Sequence, residues 1–194
     1  MSILFLSCYT PRYVYSPPAQ NVATLTQKGD SRLAILYSTN AGSNNEIVEI
    51  GKATSNGLDV HSAYAISNHV ITQFNFFYRN EQNSNRDNSN SLPELIRYKR
   101  NLAEMALGYF TPVNAGQKSF FYLMGSTGLG NFRFKDYDVN GNSVSPKYFH
   151  EASIFKLSIQ PALLFKLRKQ FSIAFASKIS FIDYRNIKTN YNEQ

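Results

Sequence analysis

The stretch "SIFKLSIQPALLF", residues 153–165, decides the fold. Lys156, Ser158 and Gln160 alternate in it with Phe155, Leu157 and Ile159. An α-helix would scatter the three polar groups around its circumference, whereas a strand repeats every two residues and sends them all to one face. The stretch reads as a two-faced strand, and what each face touches decides the character of the protein.

The same period recurs along the chain. In "QFSIAFASKISFIDY" (170–184), Phe171, Ile173, Phe175, Ile179 and Phe181 share one face, and Ser172, Ala174, Ala176, Lys178 and Ser180 the other. In "HVITQFNFFYRN" (69–80), Val70, Thr72, Phe74, Phe76 and Tyr78 oppose Gln73, Asn75 and Arg79. Segments 31–39, 56–66, 97–110 and 118–134 have alternating or strand-like composition, and the opening stretch belongs to a segment over 151–165, which makes seven strand segments in all. At 194 residues the chain suits one domain with a real core. Its 13 Tyr and 15 Phe favour a pleated surface, so the class is all-β.

No apolar run approaches the roughly 20 residues of a membrane helix, so a bilayer crossing would have to use strands. The formal charge of +7 is spread along the chain, with "RYKR" (97–100) and "KLRK" (166–169) as the only tight basic groups. Nucleic acid is therefore not an expected partner.

The links between segments alternate in length. Polar links near 40–55, 81–96 and 135–150 are long, whereas 67–68, 111–117 and 166–169 are short. Antiparallel strands joined in this way gather the long links at one end and the tight turns at the other, as in outer-membrane barrels with short periplasmic turns and longer extracellular loops. A chain entering from the periplasm would make its first link the long, extracellular one.

If the apolar face meets lipid, the other face encloses a lumen, for which the candidate polar groups are His61, Gln73, Arg79, Glu104, Lys156 and Lys178, with Arg133 at a strand end. About eight strands leave an interior only wide enough for side chains. Buried charges there must pair, so the expected lumen is narrow and plugged. The alternative is a soluble, periplasm-facing, lipocalin-like barrel that turns Phe155, Leu157 and Phe175 inward around an apolar ligand.

The single cysteine excludes an internal disulfide. The opening "MSILFLSC" resembles the end of a bacterial lipoprotein signal peptide with Cys8 as the acylated residue, although Phe5 sits where Leu is commonest and no Lys or Arg precedes the run. A frayed apolar terminus with an ordinary thiol is the plainer alternative. The Pro-rich stretch 9–20 reads as a tether to a barrel domain over 21–194. Acylation at Cys8 would anchor it in the inner leaflet of the outer membrane, which agrees with the orientation given by the links.

With "SCYTPRYVYSPPAQNV" (7–22), "KGDSRLAILYSTN" (28–40), "YKRNLAEMALGYFTP" (98–112) and "FKLSIQPALLF" (155–165), the chain resembles the uncharacterised outer-membrane β-barrel proteins of Bacteroidota-type bacteria. The resemblance implies a location and no catalytic residues. Bacterial single-chain barrels have an even strand count. Seven segments therefore leave two options: the closing strand lies beyond the given sequence, which we expect, or "NVATLTQ" (21–27) supplies it.

Motifs for chemistry are weak. His61, His69 and His150 have no metal-ligand spacing, and no cofactor is expected. Asp59 and His61 share a strand face, but no nucleophile accompanies them, so an enzyme is not expected. "GSTGLG" (125–130) has its glycines in the wrong order for a nucleotide loop and reads as a bent strand. "DYDVNGNS" (136–143) lacks the terminal carboxylate of a calcium loop and reads as a hairpin turn around Asn140 and Gly141. The expectation is an up-and-down antiparallel membrane β-barrel of about eight strands in a bacterial outer membrane. It would be a non-catalytic structural or surface-binding protein whose neighbours are membrane lipid and an unidentified surface ligand or protein.

Overall fold

The computed structural model describes residues 22, 24–40, 53–85, 94–140, 143–168 and 171–190. Cys8 and the tether 9–20 lie outside the described residues. Every regular element is a strand: β1 (Ser31–Asn40), β2 (Ala53–Ala65), β3 (Val70–Asn85), β4 (Glu94–Pro112), β5 (Ser119–Asn140), β6 (Ser143–Arg168), β7 (Phe171–Ala176) and β8 (Ile179–Thr189). Each strand from β1 to β6 pairs antiparallel with the next, and β8 continues the same edge as β7 by pairing antiparallel with β6. The result is an all-β, up-and-down sheet of eight strands, curled into a half-barrel. Among the described residues no ladder joins β1 to β7 or β8.

β7 and β8 together occupy the seventh segment expected from the sequence, interrupted at Ser177 and Lys178. The cause lies across the ladder. The carbonyl of Pro161 accepts a hydrogen bond from Ser177 N at 3.2 Å, so the proline faces the edge strand at the position where its missing N–H would have donated back. The ladder breaks there and resumes at Ile159 opposite Ile179.

One expectation about connections needs correction, and one alternative for the closing strand falls away. The polar stretch 135–150 is not a long loop: β5 runs to Asn140, β6 starts at Ser143, and these two residues pair directly. The hairpin projects as paired strand. Residues 24–27 are not a strand either, so they do not supply the closing one. Instead Leu25 is buried beneath the half-barrel, where its carbonyl accepts the Tyr122 hydroxyl at 2.7 Å, and Thr26 Oγ1 accepts Lys166 Nζ at 2.8 Å. Asp30 ties down the turn that follows, accepting Thr26 N–H at 2.8 Å and Gln27 N–H at 3.1 Å. Slight burial acts to raise the pKa of Asp30, but these donations outweigh it and hold the carboxyl below its ordinary value.

The interior has two apolar layers. Near the short turns Leu25, Ile71, Phe110, Phe120, Tyr122, Met124 and Leu164 pack together. Toward the long links Phe77, Tyr98, Leu102, Phe132 and Ile154 form a second cluster. The inner face of β5 is thinned by glycine where the wall must curl. A Cβ at Gly130 would run into the Asn101 carbonyl oxygen on β4, whereas one at Gly125, on the outer face, meets nothing within 4 Å.

This contrast is testable in the folded protein by thermal unfolding followed by circular dichroism. Gly130→Ala is expected to cost about 1–3 kcal/mol, because backbone on a neighbouring strand must move to admit the methyl group. Gly125→Ala is expected to change little. Equal midpoints for the two variants would contradict the close approach.

Candidate functional site: the interior charge cluster

Between the two apolar layers lies a polar one. The register aligns His61, Asn75, Glu104, Gly128, Lys156 and Ile182 on consecutive strands, so one rung of the sheet brings most of the polar layer together. The period-2 alternation of β4 and β6 points Glu104 and Lys156 inward, and Gly128 between them leaves the space their side chains cross. Glu104 is 3% exposed and Lys156 2%. Lys156 Nζ lies 2.8 Å from Glu104 Oε2. Lys178, presented from the break between β7 and β8, pairs with Glu104 Oε1, and the Ser126 hydroxyl donates to the same oxygen at 3.2 Å. Ser126 in turn shares a hydrogen bond with Ser158.

Lys178 and Glu104 are three strands apart in the sheet, so their contact requires tight curvature. That curvature suits a small barrel whose interior is filled by side chains. The cluster holds two cations against one carboxylate, each buried deeply enough that an unpaired charge would cost several kcal/mol.

The remaining expected residues divide. His61 Nδ1 and Gln73 Nε2 both meet Asn75 Oδ1, at 2.9 and 2.8 Å. Arg79 lies nearer the long-link end, where it grips Asp59 through two bonds of 3.0 and 2.8 Å and stacks over Phe77. Asp59 therefore serves Arg79, and His61 serves Asn75, so the two do not form a dyad.

Arg133 is a correction. Its side chain is 55% exposed on the outer face and pairs with Glu151 Oε1 at 2.8 Å. The reason is parity: Phe132, its neighbour, takes the inner position and is buried.

Sequence reasoning left out Asn75, Ser126 and Ser158, which lie on the inner faces of their strands. It also left out Arg100, which stacks over Phe77 and Tyr98 and pairs with Glu81 at 3.3 Å. The polar face of "HVITQFNFFYRN" already contained Asn75, but its role as the shared acceptor depends on which rung it occupies. "GSTGLG" lies wholly within β5 and forms no phosphate loop. Among the described residues no three His, Cys, Asp or Glu side chains gather to hold a metal ion. The arrangement suits ion pairing within a packed interior. Compared with protein-family models, curated proteins and solved structures, the chain matches none.

Removing one partner from the cluster should be far worse than removing both. Glu104→Gln is expected to lose about 3–5 kcal/mol, because Lys156 and Lys178 keep their places and lose the carboxylate they share. Adding Lys156→Met to Glu104→Gln should recover part of that loss, and a thermal-unfolding double-mutant cycle reads the coupling. Additive effects would contradict direct pairing.

Proposed function

We propose that the protein is a non-catalytic outer-membrane β-barrel protein, with its lumen plugged and its long-link end available for surface contacts. The observation that carries this reading is a change in the outer face at one level across neighbouring strands. On β6 the outer positions Phe155, Leu157, Ile159, Pro161, Leu163 and Phe165 are apolar, and Ser153 and Glu151 beyond them are polar. On β5 the change falls between Leu129 and Asn131, and on β4 between Ala103 and Asn101. The register puts Ala103, Leu129 and Phe155 on one rung, and Asn101, Asn131 and Ser153 on the next. The boundary therefore runs along the rungs.

The inner face changes character near the same level. Beyond the boundary Phe132 and Tyr98 turn inward, as in a water-soluble sheet, while the polar Glu104–Lys156 layer lies below. The apolar outer belt is open to its surroundings: Leu129 is 67% exposed, Phe175 63% and Met105 64%. A continuous apolar surface of this kind calls for a nonaqueous neighbour.

Its height suits a bilayer. Ten residue steps from Phe155 to Phe165 at about 3.3 Å span about 33 Å along the strand. At a tilt near 40° that is about 25 Å, the height of the apolar band in such barrels. Asp183 is the one charge beside the upper rung of the belt, and Arg185 pairs with it at 2.6 Å. The soluble, lipocalin-like alternative needs Leu157 and Phe175 inside, which their exposure does not favour.

In this reading the short turns face the periplasm, the paired hairpin of β5 and β6 projects outward, and Cys8 is the site of acylation. Membrane lipid is the constant partner, and the projecting end meets any protein or glycan at the cell surface.

Fractionation followed by electrophoresis of boiled and unboiled samples tests the reading. The protein is expected to need detergent for solubility and to migrate differently once boiled. A Cys8→Ser variant that stays in the aqueous fraction and gives one band under both conditions would contradict it.

A further inference from the structure

A cleft of roughly 470 Å³ opens on the outer face just beyond the apolar belt, with Lys99, Asn101, Asn131, Arg133, Glu151 and Lys188 among its walls. We propose that it binds the phosphate-bearing headgroup of a lipid whose acyl chains lie on the belt below. This rests on the membrane reading given above.

The register builds the cleft in layers. Lys99, Arg133, Glu151 and Lys188 share one rung, and Asn101, Asn131 and Ser153 share the next one toward the belt. Ala103 and Leu129 follow, so a molecule in the cleft touches cations, then amides, then hydrocarbon within a few strand steps. The slip in register between β6 and β8 at Glu151 and Ser153 contributes to this geometry. Asn186 sits in that bulge at φ 52°, a left-handed conformation that asparagine tolerates, and it adds its amide to the cleft.

The charge is not balanced. Glu151 is the only carboxylate in the cleft wall, and it is already shared by Arg133 at 2.8 Å and Lys135 at 3.9 Å. Among the described residues neither Lys99 nor Lys188 has an acidic partner. Two ammonium groups, a guanidinium and several amide donors converge on a concave surface, which suits a multiply charged phosphate. A soluble anion would use only the upper layers. A phosphorylated lipid uses these and also covers exposed Leu129 and Met105, and for that reason the structure points to the lipid.

The test uses the folded full chain in a neutral maltoside detergent, with a bis-phosphorylated glucosamine disaccharide lipid as probe and native mass spectrometry as readout. Lys99→Ala combined with Lys188→Ala is expected to weaken retention of the probe by about tenfold or more, as two lost cations near a membrane surface should. Lys28→Ala, at the short-turn end, should leave retention unchanged. Unchanged retention in the double variant would overturn the assignment, as would equal retention of the dephosphorylated lipid. Inorganic phosphate that binds as tightly as the lipid would show a soluble-anion site and also overturn it. Boiled and unboiled samples of every variant are compared in the same detergent. A preserved mobility shift shows that the barrel is intact, so a negative binding result then falls on the cleft and not on the membrane reading.

Discussion

The salt bridge between Glu104 and Lys156 is the contact on which the rest of this structure depends. A pleated strand gives consecutive side chains to opposite faces, so placing these two charges inside obliges Met105, Phe155 and Leu157 to lie outside. The choice cannot be made strand by strand, because the ladder ties each register to its neighbour. Once Lys156 is inward, the rung that carries Glu104, Asn75 and His61 is inward as well. A one-residue slip anywhere would exchange the faces and bury Phe or Leu side chains among unpaired ammonium groups.

Pro161 and Lys178 show how a local irregularity serves this arrangement. The proline denies the edge strand a donor, the ladder opens at Ser177 and Lys178, and the second lysine enters the interior from that opening. Its contact with a residue three strands away fixes the curl of the sheet. Leu25, Thr26 and Lys166 close the short-turn end beneath it, joining the segment before β1 to the bases of β5 and β6. The interior is thus an alternation of apolar, charged and apolar layers, which resembles a packed core more than a passage.

The strand segments and their two faces were legible in the sequence because β3, β6 and the β7–β8 pair each keep a two-residue period over most of their length. The direction of Lys156, Lys178, Glu104, Gln73 and His61 followed from that period. Arg133 was misjudged because its neighbours Phe132 and Phe134 are both apolar, and by then the apolar residues had passed from the outer face to the inner one. The stretch 135–150 was misjudged for a related reason. A strand that projects beyond an apolar environment has no hydrophobic face to display, so its composition imitates a loop. The partners of Asp59 and His61 depended on register, which a single strand does not reveal. The basic cleft lay deeper still, since Lys99, Arg133 and Lys188 are far apart in the chain and meet only through three ladders, one of them bulged.

Because the chain has no tryptophan, one introduced at Leu157 reports on the outer face alone. In vesicles made with lipid brominated along its acyl chains, Leu157→Trp fluorescence is predicted to be strongly quenched and shielded from acrylamide in the aqueous phase. Fluorescence that is indifferent to the brominated chains and readily quenched by acrylamide would contradict the account.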